Sequence, residues 1–130
     1  FTSNVQSQIN KFDLMKKKRI SNSQYLKKNL ENLKNISFLE YDESVDWNHQ
    51  YFIIKIENDY DDFNRKLFNL GIHAMEENVW NCLEYNYDIV NKNDNFDVTK
   101  KNNCKILRIQ NSSYLNKKHL DSIIWAIKNI

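Results

Sequence analysis

Apolar residues recur with clear periods in the middle of the chain, where they predict a strand, a helix and a second strand. The run Tyr51–Ile56 is almost wholly apolar, which predicts a central strand covered on both faces. Spacings of three and four then indicate an amphipathic helix with an apolar stripe made of Tyr60, Phe63, Leu67 and Leu70. Asn58 or Asp59 can cap the start of this helix, and Gly71 can end it in a left-handed conformation. A second short strand follows at residues 72–75.

The chain on either side of this unit also follows helix and strand patterns. Apolar residues at mostly helical spacing predict a long first helix over residues 2–33, in which the polar residues 18–23 allow a bend or break. Residues 36–41 alternate loosely and predict a short strand, and residues 104–109 predict a later one. A last helix over residues 116–129 is indicated by the stripe Leu120, Ile123, Ile124 and Ile127.

Residues 78–95 keep no sustained period, yet they are too apolar for a disordered linker. We therefore expect a packed loop there, which in a small domain is usually functional, followed by a helical turn or two over residues 96–103. The predicted order is helix, strand, strand, helix, strand, loop, strand, helix. This order predicts an α+β fold in which helices pack on one face of a small, mainly antiparallel sheet of about four strands.

Length and composition add bounds to this picture. The 130 residues have the length of one domain, 1–130, and 41% of them are hydrophobic, which allows a modest core. A net charge of only +2 does not argue for a nucleic-acid partner, and the basic run Lys16–Arg19 is interpreted as a solvated helix face. No apolar run approaches the roughly 18 residues that span a bilayer, and no signal peptide is recognisable. We expect a cytoplasmic protein with no nucleic-acid and no membrane partner.

Few residues in the chain suggest catalysis or metal binding. The neighbours Asp61–Asp62 and Glu76–Glu77 do not converge on one atom, since adjacent side chains diverge on a helix and alternate on a strand. Cys82 and Cys104 lack the spacing of metal ligands and are interpreted as reduced structural cysteines. A single glycine excludes the usual phosphate-cradling loops. We therefore expect no catalytic group, no metal site and no cofactor held by this chain alone.

Four motifs stand in a fixed order along nearly the whole chain. The first helix carries an Arg, a Tyr and a Leu, and a His then precedes the apolar strand: Arg19, Tyr25, Leu30 and His49. An acidic helix ends in Gly-Ile, and an Ile-Leu-x-Ile strand, a loop Tyr and an Ile-rich helix close the chain: Gly71–Ile72, Ile106–Ile109, Tyr114 and Leu120–Ile130. Together these motifs resemble the C-terminal small domain of the sugar aminotransferases of the DegT/DnrJ/EryC1/StrS family, which are fold-type I enzymes dependent on pyridoxal phosphate (PLP).

The chain also departs from the family's pattern. Gln110 follows the last strand where the family commonly has a Pro, and Ser113 stands where an Arg often precedes the loop Tyr. After the Gly-Ile pair, this chain has Glu77–Asn78 and Trp80–Asn81 where some members carry His-Tyr or Trp-Pro. The substrate-facing loop has therefore diverged.

The resemblance implies the small domain of a PLP-dependent sugar-nucleotide aminotransferase-like protein, which completes the substrate cleft but is not catalytic alone. The residues that bind PLP would lie in a larger N-terminal domain, so Phe1, which is not an initiator Met, is expected to begin a processed protein or the C-terminal part of a longer chain. The expected partner is that larger domain or a second subunit. The candidates for the substrate cleft are His49, Trp80, Asn81 and Tyr114.

Other interpretations of these residues remain open at this point. A structural hydrogen bond would explain His49, and core packing would explain Trp80. The whole chain could also be a free-standing, non-catalytic interaction module that keeps the fold, with the loop around Trp80 as its binding surface. An apolar stripe in the first helix lacks an obvious strand to cover it, so we expect self-association as a symmetric homodimer through Val5, Ile9, Phe12 and Met15.

Overall fold

The computed structural model describes residues 2–39, 44–76 and 105–130. Over these ranges the elements are α1 (Thr2–Leu30), β1 (Ile36–Phe38), β2 (Tyr51–Ile56), α2 (Tyr60–Asn69), β3 (Ala74–Glu76), β4 (Ile106–Gln110) and α3 (Lys117–Lys128). The strands form one antiparallel sheet in the order β1-β2-β4-β3. The predicted α+β class, with about four strands and a long first helix, is confirmed. The expected loop over 78–95, the turns over 96–103 and the cysteines Cys82 and Cys104 lie outside the described residues.

One face of the sheet is buried, and β2 and β4 supply most of it through Phe52, Ile54, Ile56, Leu107 and Ile109. The register places Ile54 directly opposite Leu107, and both side chains are fully buried. On the other face Tyr51, Ile53 and Lys55 are half-buried, so the second face of the predicted central strand is covered only in part. The Arg108 guanidinium lies 5.1 Å from the Tyr51 ring centroid. Part of this face is therefore formed by a cation that packs on an aromatic ring.

Three helical segments cover the buried face in a single core. The C-terminal half of α1, the middle of α2 and most of α3 contribute Leu26, Leu30, Phe63, Leu67, Leu120, Ile123, Ile124 and Ile127. The predicted stripes of α2 and α3 are therefore confirmed, except that Leu70 caps the end of α2 and is exposed. At the start of α3, the Asn116 side chain accepts from the His119 N–H at 3.1 Å while His119 Nδ1 accepts from the Asn116 N–H at 3.3 Å. This reciprocal cap satisfies two helix-end donors.

The first helix runs without interruption from Thr2 to Leu30, so the break that residues 18–23 would allow does not occur. The polar residues that suggested the break include Asn22 and Ser23, and both of these side chains are buried. A polar side chain can occupy a buried helix face when it finds hydrogen-bond partners there. The gap in the apolar stripe is thus a buried polar contact, which is described below.

The end of α2 explains why β3 begins later than predicted. The Gly71 N–H donates to the Phe68 carbonyl at 2.9 Å and the Ile72 N–H donates to the Leu67 carbonyl at 3.0 Å, an arrangement that ends many helices. Because Ile72 still serves the helix end, the strand starts only at Ala74. Gly71 has φ +80°, so its predicted left-handed conformation is confirmed.

Gly71→Ala is expected to lower the free energy of unfolding by about 1 kcal/mol, since the left-handed conformation disfavours a Cβ. A Cβ at this position would meet no atom within 4 Å, so the cost is conformational and not steric. Urea denaturation measures it. Gly71→Asn is the matched variant and should lose less stability, because Asn tolerates this conformation better. Equal stability of the alanine variant and the wild type would contradict the prediction.

Candidate functional site

A cleft of about 260 Å³ lies between the C-terminal half of α1, the end of β1 and the start of β2. Its walls are mostly apolar and include Ile20, Phe38, Leu39, Trp47 and Phe52. Gln24, Lys27 and His49 add polar groups to the same lining. Ligand sites in proteins are typically concave and apolar with a small number of polar groups, which makes this cleft the candidate functional site.

Aromatic rings form one wall of the cleft. The ring centroids of Phe38 and Phe52 lie 5.8 Å apart at an interplanar angle of 49°. The Lys27 ammonium lies 5.9 Å from the Phe38 ring centroid, a distance at which a cation is attracted to the ring face. The Trp47 side chain remains nearly half exposed. The cleft therefore presents aromatic surface on which a flat or ring-shaped ligand can pack.

His49 lies at the entrance to β2, where the backbone reverses into the strand. Burial lowers the pKa of its imidazole, and the positive charge of Lys16 lowers this pKa further. Lys16 itself pairs with Asp46 on the segment that precedes β2. A lowered pKa favours the neutral imidazole near neutral pH, in which one ring nitrogen donates a hydrogen bond and the other accepts one. His49 can therefore serve the cleft as a polar, uncharged contact.

A buried polar cluster, which we call the amide cluster, lies behind the cleft and consists of Asn22, Ser23 and Asn111. The Asn111 side chain is fully buried (0% exposed), and that of Asn22 is 1% exposed. Asn22 Nδ2 donates to Asn111 Oδ1 at 3.2 Å, and Asn111 Nδ2 lies 2.9 Å from Ser23 Oγ. Because Ser23 also lines the cleft, the cluster connects α1, the cleft wall and the end of β4.

The predicted site residues come together only in part. His49 lines the cleft. Tyr114 lies in the turn before α3, where it is 84% exposed, and it does not line this cleft. Trp80 and Asn81 lie outside the described residues.

The sequence patterns did not mark Trp47, Gln24 and Lys27 as site residues, although all three line the cleft beside His49. A signal was available for the amide cluster. Asn22 stands four residues before Leu26 and eight before Leu30, so it continues the buried stripe of α1. A polar residue in phase with an apolar stripe indicates a buried hydrogen bond.

A second group of polar side chains links α1 to α3 outside the cleft. The Tyr25 hydroxyl donates to Asp121 Oδ1 at 2.7 Å, and the Lys117 ammonium lies 3.2 Å from Asp121 Oδ2. The hydrogen bond from Tyr25, and then that from Lys117, lowers the pKa of the Asp121 carboxyl group. These groups are solvent-exposed, so the contacts hold the two helices in register with only a small stabilisation.

The described ranges contain neither a metal-binding cluster nor a membrane-spanning helix. Within residues 2–39, 44–76 and 105–130, no three His, Cys, Asp or Glu side chains are grouped closely enough to hold a metal ion. No helix in this part of the chain has both the length and the apolar character needed to cross a membrane.

Comparisons with known proteins agree on one family. A model of the DegT/DnrJ/EryC1/StrS aminotransferase family matches residues 3–128. No curated protein matches the sequence. Among solved structures, the chain is similar to the sugar aminotransferase CalS13 from Micromonospora echinospora, with a TM-score of 0.78 and 14% identity over 95% of this chain and 33% of that one.

Two further solved structures are similar to the same extent. A DegT DnrJ EryC1 StrS aminotransferase from Brucella abortus gives a TM-score of 0.80 and 17% identity, covering 95% of this chain and 33% of that one. Helicobacter pylori PseC, an aminotransferase involved in the biosynthesis of pseudoaminic acid, gives a TM-score of 0.79 and 12% identity, covering 95% of this chain and 34% of that one. At these identities the likeness shows a shared fold, and the chain spans about a third of each structure.

Proposed function

Because the chain belongs to the DegT/DnrJ/EryC1/StrS aminotransferase family, we propose that it is the small domain of a PLP-dependent sugar-nucleotide aminotransferase. In this role it works in the cytoplasm, completes the substrate cleft beside a larger cofactor-binding domain and is not catalytic alone. The observation that carries the proposal is the family match over residues 3–128, on a chain that spans about a third of each similar structure. The cofactor and its chemistry are assigned to the remaining two thirds.

The residues of the cleft do not fit PLP. This cofactor needs a lysine that forms a Schiff base with its aldehyde and a set of donors around its phosphate. Within the described part of the cleft lining the lysine is Lys27, and its ammonium lies over the Phe38 ring on an exposed stretch of α1. The single glycine, Gly71, ends α2 and does not line the cleft. No step that involves the cofactor is therefore derived for this chain.

The cleft fits the sugar part of a substrate better than a phosphate. A sugar ring packs its apolar face on an aromatic side chain and presents hydroxyls to hydrogen-bonding groups at its edge. Trp47 and Phe38 supply the aromatic surface, and Gln24 and the neutral imidazole of His49 supply hydrogen bonds. Among the described residues of the lining, Lys27 is the only cation, and a diphosphate needs more than one. We assign substrate positioning to these residues.

The complete coding sequence, and the protein that it encodes, can test this proposal. The coding sequence upstream of Phe1 is expected to continue through a lysine-bearing domain of about two hundred residues. The protein that it encodes, loaded with PLP, should transfer an amino group to a nucleotide-linked keto sugar, and His49→Ala should raise KM. A start codon directly before Phe1 would contradict the proposal and favour the free-standing interaction module. Transaminase activity of the 130-residue chain alone with PLP would contradict it equally.

The same proposal includes a homodimer formed through the N-terminal half of α1. Ile9 and Phe12 are 61% and 52% exposed, and a spacing of three residues places them on one face of the helix. Leu14 is 68% exposed but lies about 200° around the helix from Phe12. Large apolar side chains grouped on a surface mark an interaction site, and two-fold symmetry is the commonest way to bury a single patch. The exposure of Ile9 and Phe12 supports the interface, whereas Met15, the last residue of the predicted stripe, is half-buried.

Light scattering at micromolar concentration should find the wild-type chain as a dimer. Ile9→Asp and Phe12→Asp are expected to give monomers, because a buried, unpaired carboxylate costs several kcal/mol at an interface. Leu14→Asp introduces the same charge on the opposite side of the helix and should leave the dimer intact. A monomeric wild-type chain, or equal effects of all three substitutions, would contradict the proposed interface.

A further inference from the structure

Asn111 connects three separate segments of the chain through one side chain. Its Nδ2 lies 2.8 Å from the Arg19 carbonyl oxygen on α1, 2.9 Å from Ser23 Oγ on the same helix and 2.9 Å from the His49 carbonyl oxygen before β2. Its Oδ1 accepts from Asn22 Nδ2. The side chain therefore acts as a donor and an acceptor at once, which a planar amide group can do.

The same residue holds the backbone on both sides of Gln50. The Asn111 N–H donates to the Gln50 carbonyl at 2.9 Å, which adds to the Nδ2 contact with the His49 carbonyl. The direction of the His49 carbonyl defines ψ of His49, so these contacts fix two successive peptide planes. The first of these peptide planes follows His49, whose backbone is left-handed with φ 50°. A non-glycine residue keeps such a conformation only when its surroundings hold it there.

We propose that Asn111 is a positioning residue for His49. Its buried amide holds the left-handed turn that places His49 in the cleft lining, and it fixes that turn to α1, which forms the opposite wall. Asn111 itself does not line the cleft and acts through His49. The inference depends on the proposed function only for the nature of the ligand that His49 contacts. The positioning can be measured in the chain without a ligand.

Titration of the histidine rings by NMR tests the positioning. In the wild type, burial and Lys16 lower the pKa of His49. In Asn111→Ala, the turn is released, the imidazole becomes solvated, and the pKa of His49 should rise toward its ordinary value of about 6.5. The His49 carbon shifts should also lose their left-handed character. The rings of His73 and His119 are internal references that the substitution should not change. Asn129→Ala, the same substitution at an exposed site, should leave every His49 signal unchanged.

A merely structural role would give a different result. The variant would then unfold more easily, but the His49 ring and backbone signals of its folded molecules would match those of the wild type, and the proposal would be wrong. If Asn111→Ala does not fold, Asn111→Ser decides by the same criterion, since its shorter side chain keeps a polar group in the amide cluster but moves it away from the His49 carbonyl. A smaller shift of the His49 signals in the same direction supports the positioning, and unchanged signals overturn it. An inactive full-length protein would bear on the proposed function alone.

Discussion

Replacing Leu107 with alanine is expected to lower the free energy of unfolding by about 2–5 kcal/mol. Leu107 is fully buried in β4, an inner strand of the described sheet, and its register partner Ile54 is fully buried as well. The substitution removes three buried carbon atoms and leaves a cavity that a paired backbone cannot close. A loss of this size is a large part of the total stability of a small domain.

Urea or thermal denaturation followed by circular dichroism measures this loss. Leu14→Ala is the matched control, because it deletes the same atoms from a side chain that is mostly exposed. It should change the free energy of unfolding by less than about 0.5 kcal/mol. Losses of similar size in the two variants would show that β4 does not form the centre of the core.

Replacing Asn111 with aspartate should destabilise the fold by about 3–5 kcal/mol at neutral pH, the range found when a buried charge loses its compensation. The carboxylate would face the carbonyl oxygens of Arg19 and His49, which now accept from the Asn111 amide. An ionised carboxylate has no hydrogen to donate, so the amide cluster would contain facing acceptors and a buried charge.

The instability of Asn111→Asp should depend on pH in a defined direction. Burial raises the pKa of the new carboxyl group in the folded state above the value of about 3.9 that it has in the unfolded chain. As pH rises above about 4, the unfolded state releases the proton first, so unfolding becomes easier. The loss of stability relative to the wild type should therefore be smallest in acid and grow toward neutral pH.

Denaturation curves across this pH range test the direction. Asn10→Asp is the matched control on the exposed surface of α1, where Asn10 Oδ1 accepts from the Gln6 amide at 3.2 Å and an aspartate oxygen can do the same. Its stability should follow that of the wild type at every pH. A pH-independent loss for Asn111→Asp would show that the position is hydrated and that the cluster is not closed to solvent.

Local patterns were sufficient to predict the elements whose burial follows a simple period. Tyr51–Ile56 is a strand at the predicted bounds, and the stripes of α2 and α3 are the buried faces of those helices. The end of α1 and the start of β3 were not predicted correctly. These boundaries depend on hydrogen bonds at the ends of helices, which the period of apolar residues does not reveal. The break considered at residues 18–23 does not form because Asn22 is hydrogen-bonded to Asn111, a tertiary contact that the local sequence cannot show.

The candidate site was predictable only where a motif marks it. His49 was found through the family resemblance and lies in the cleft. Trp47 and Lys27 were not, because nothing in their local sequence shows that α1 will pass over the start of β2. A cleft wall is a product of packing between distant segments, so its residues become visible only once the topology is known.

The sheet order β1-β2-β4-β3 has a consequence for biosynthesis. Two of the three pairings in the described sheet, β2 with β4 and β3 with β4, need a strand that begins at Ile106. Until residues 106–110 have been synthesised, β2 can pair with β1 alone and β3 has no partner among the described strands. Non-local pairings of this kind close slowly. Until β4 is made, Phe52, Ile54 and Ala74 lack the strand beside which they are buried in the folded sheet, and exposed apolar residues of this kind favour aggregation.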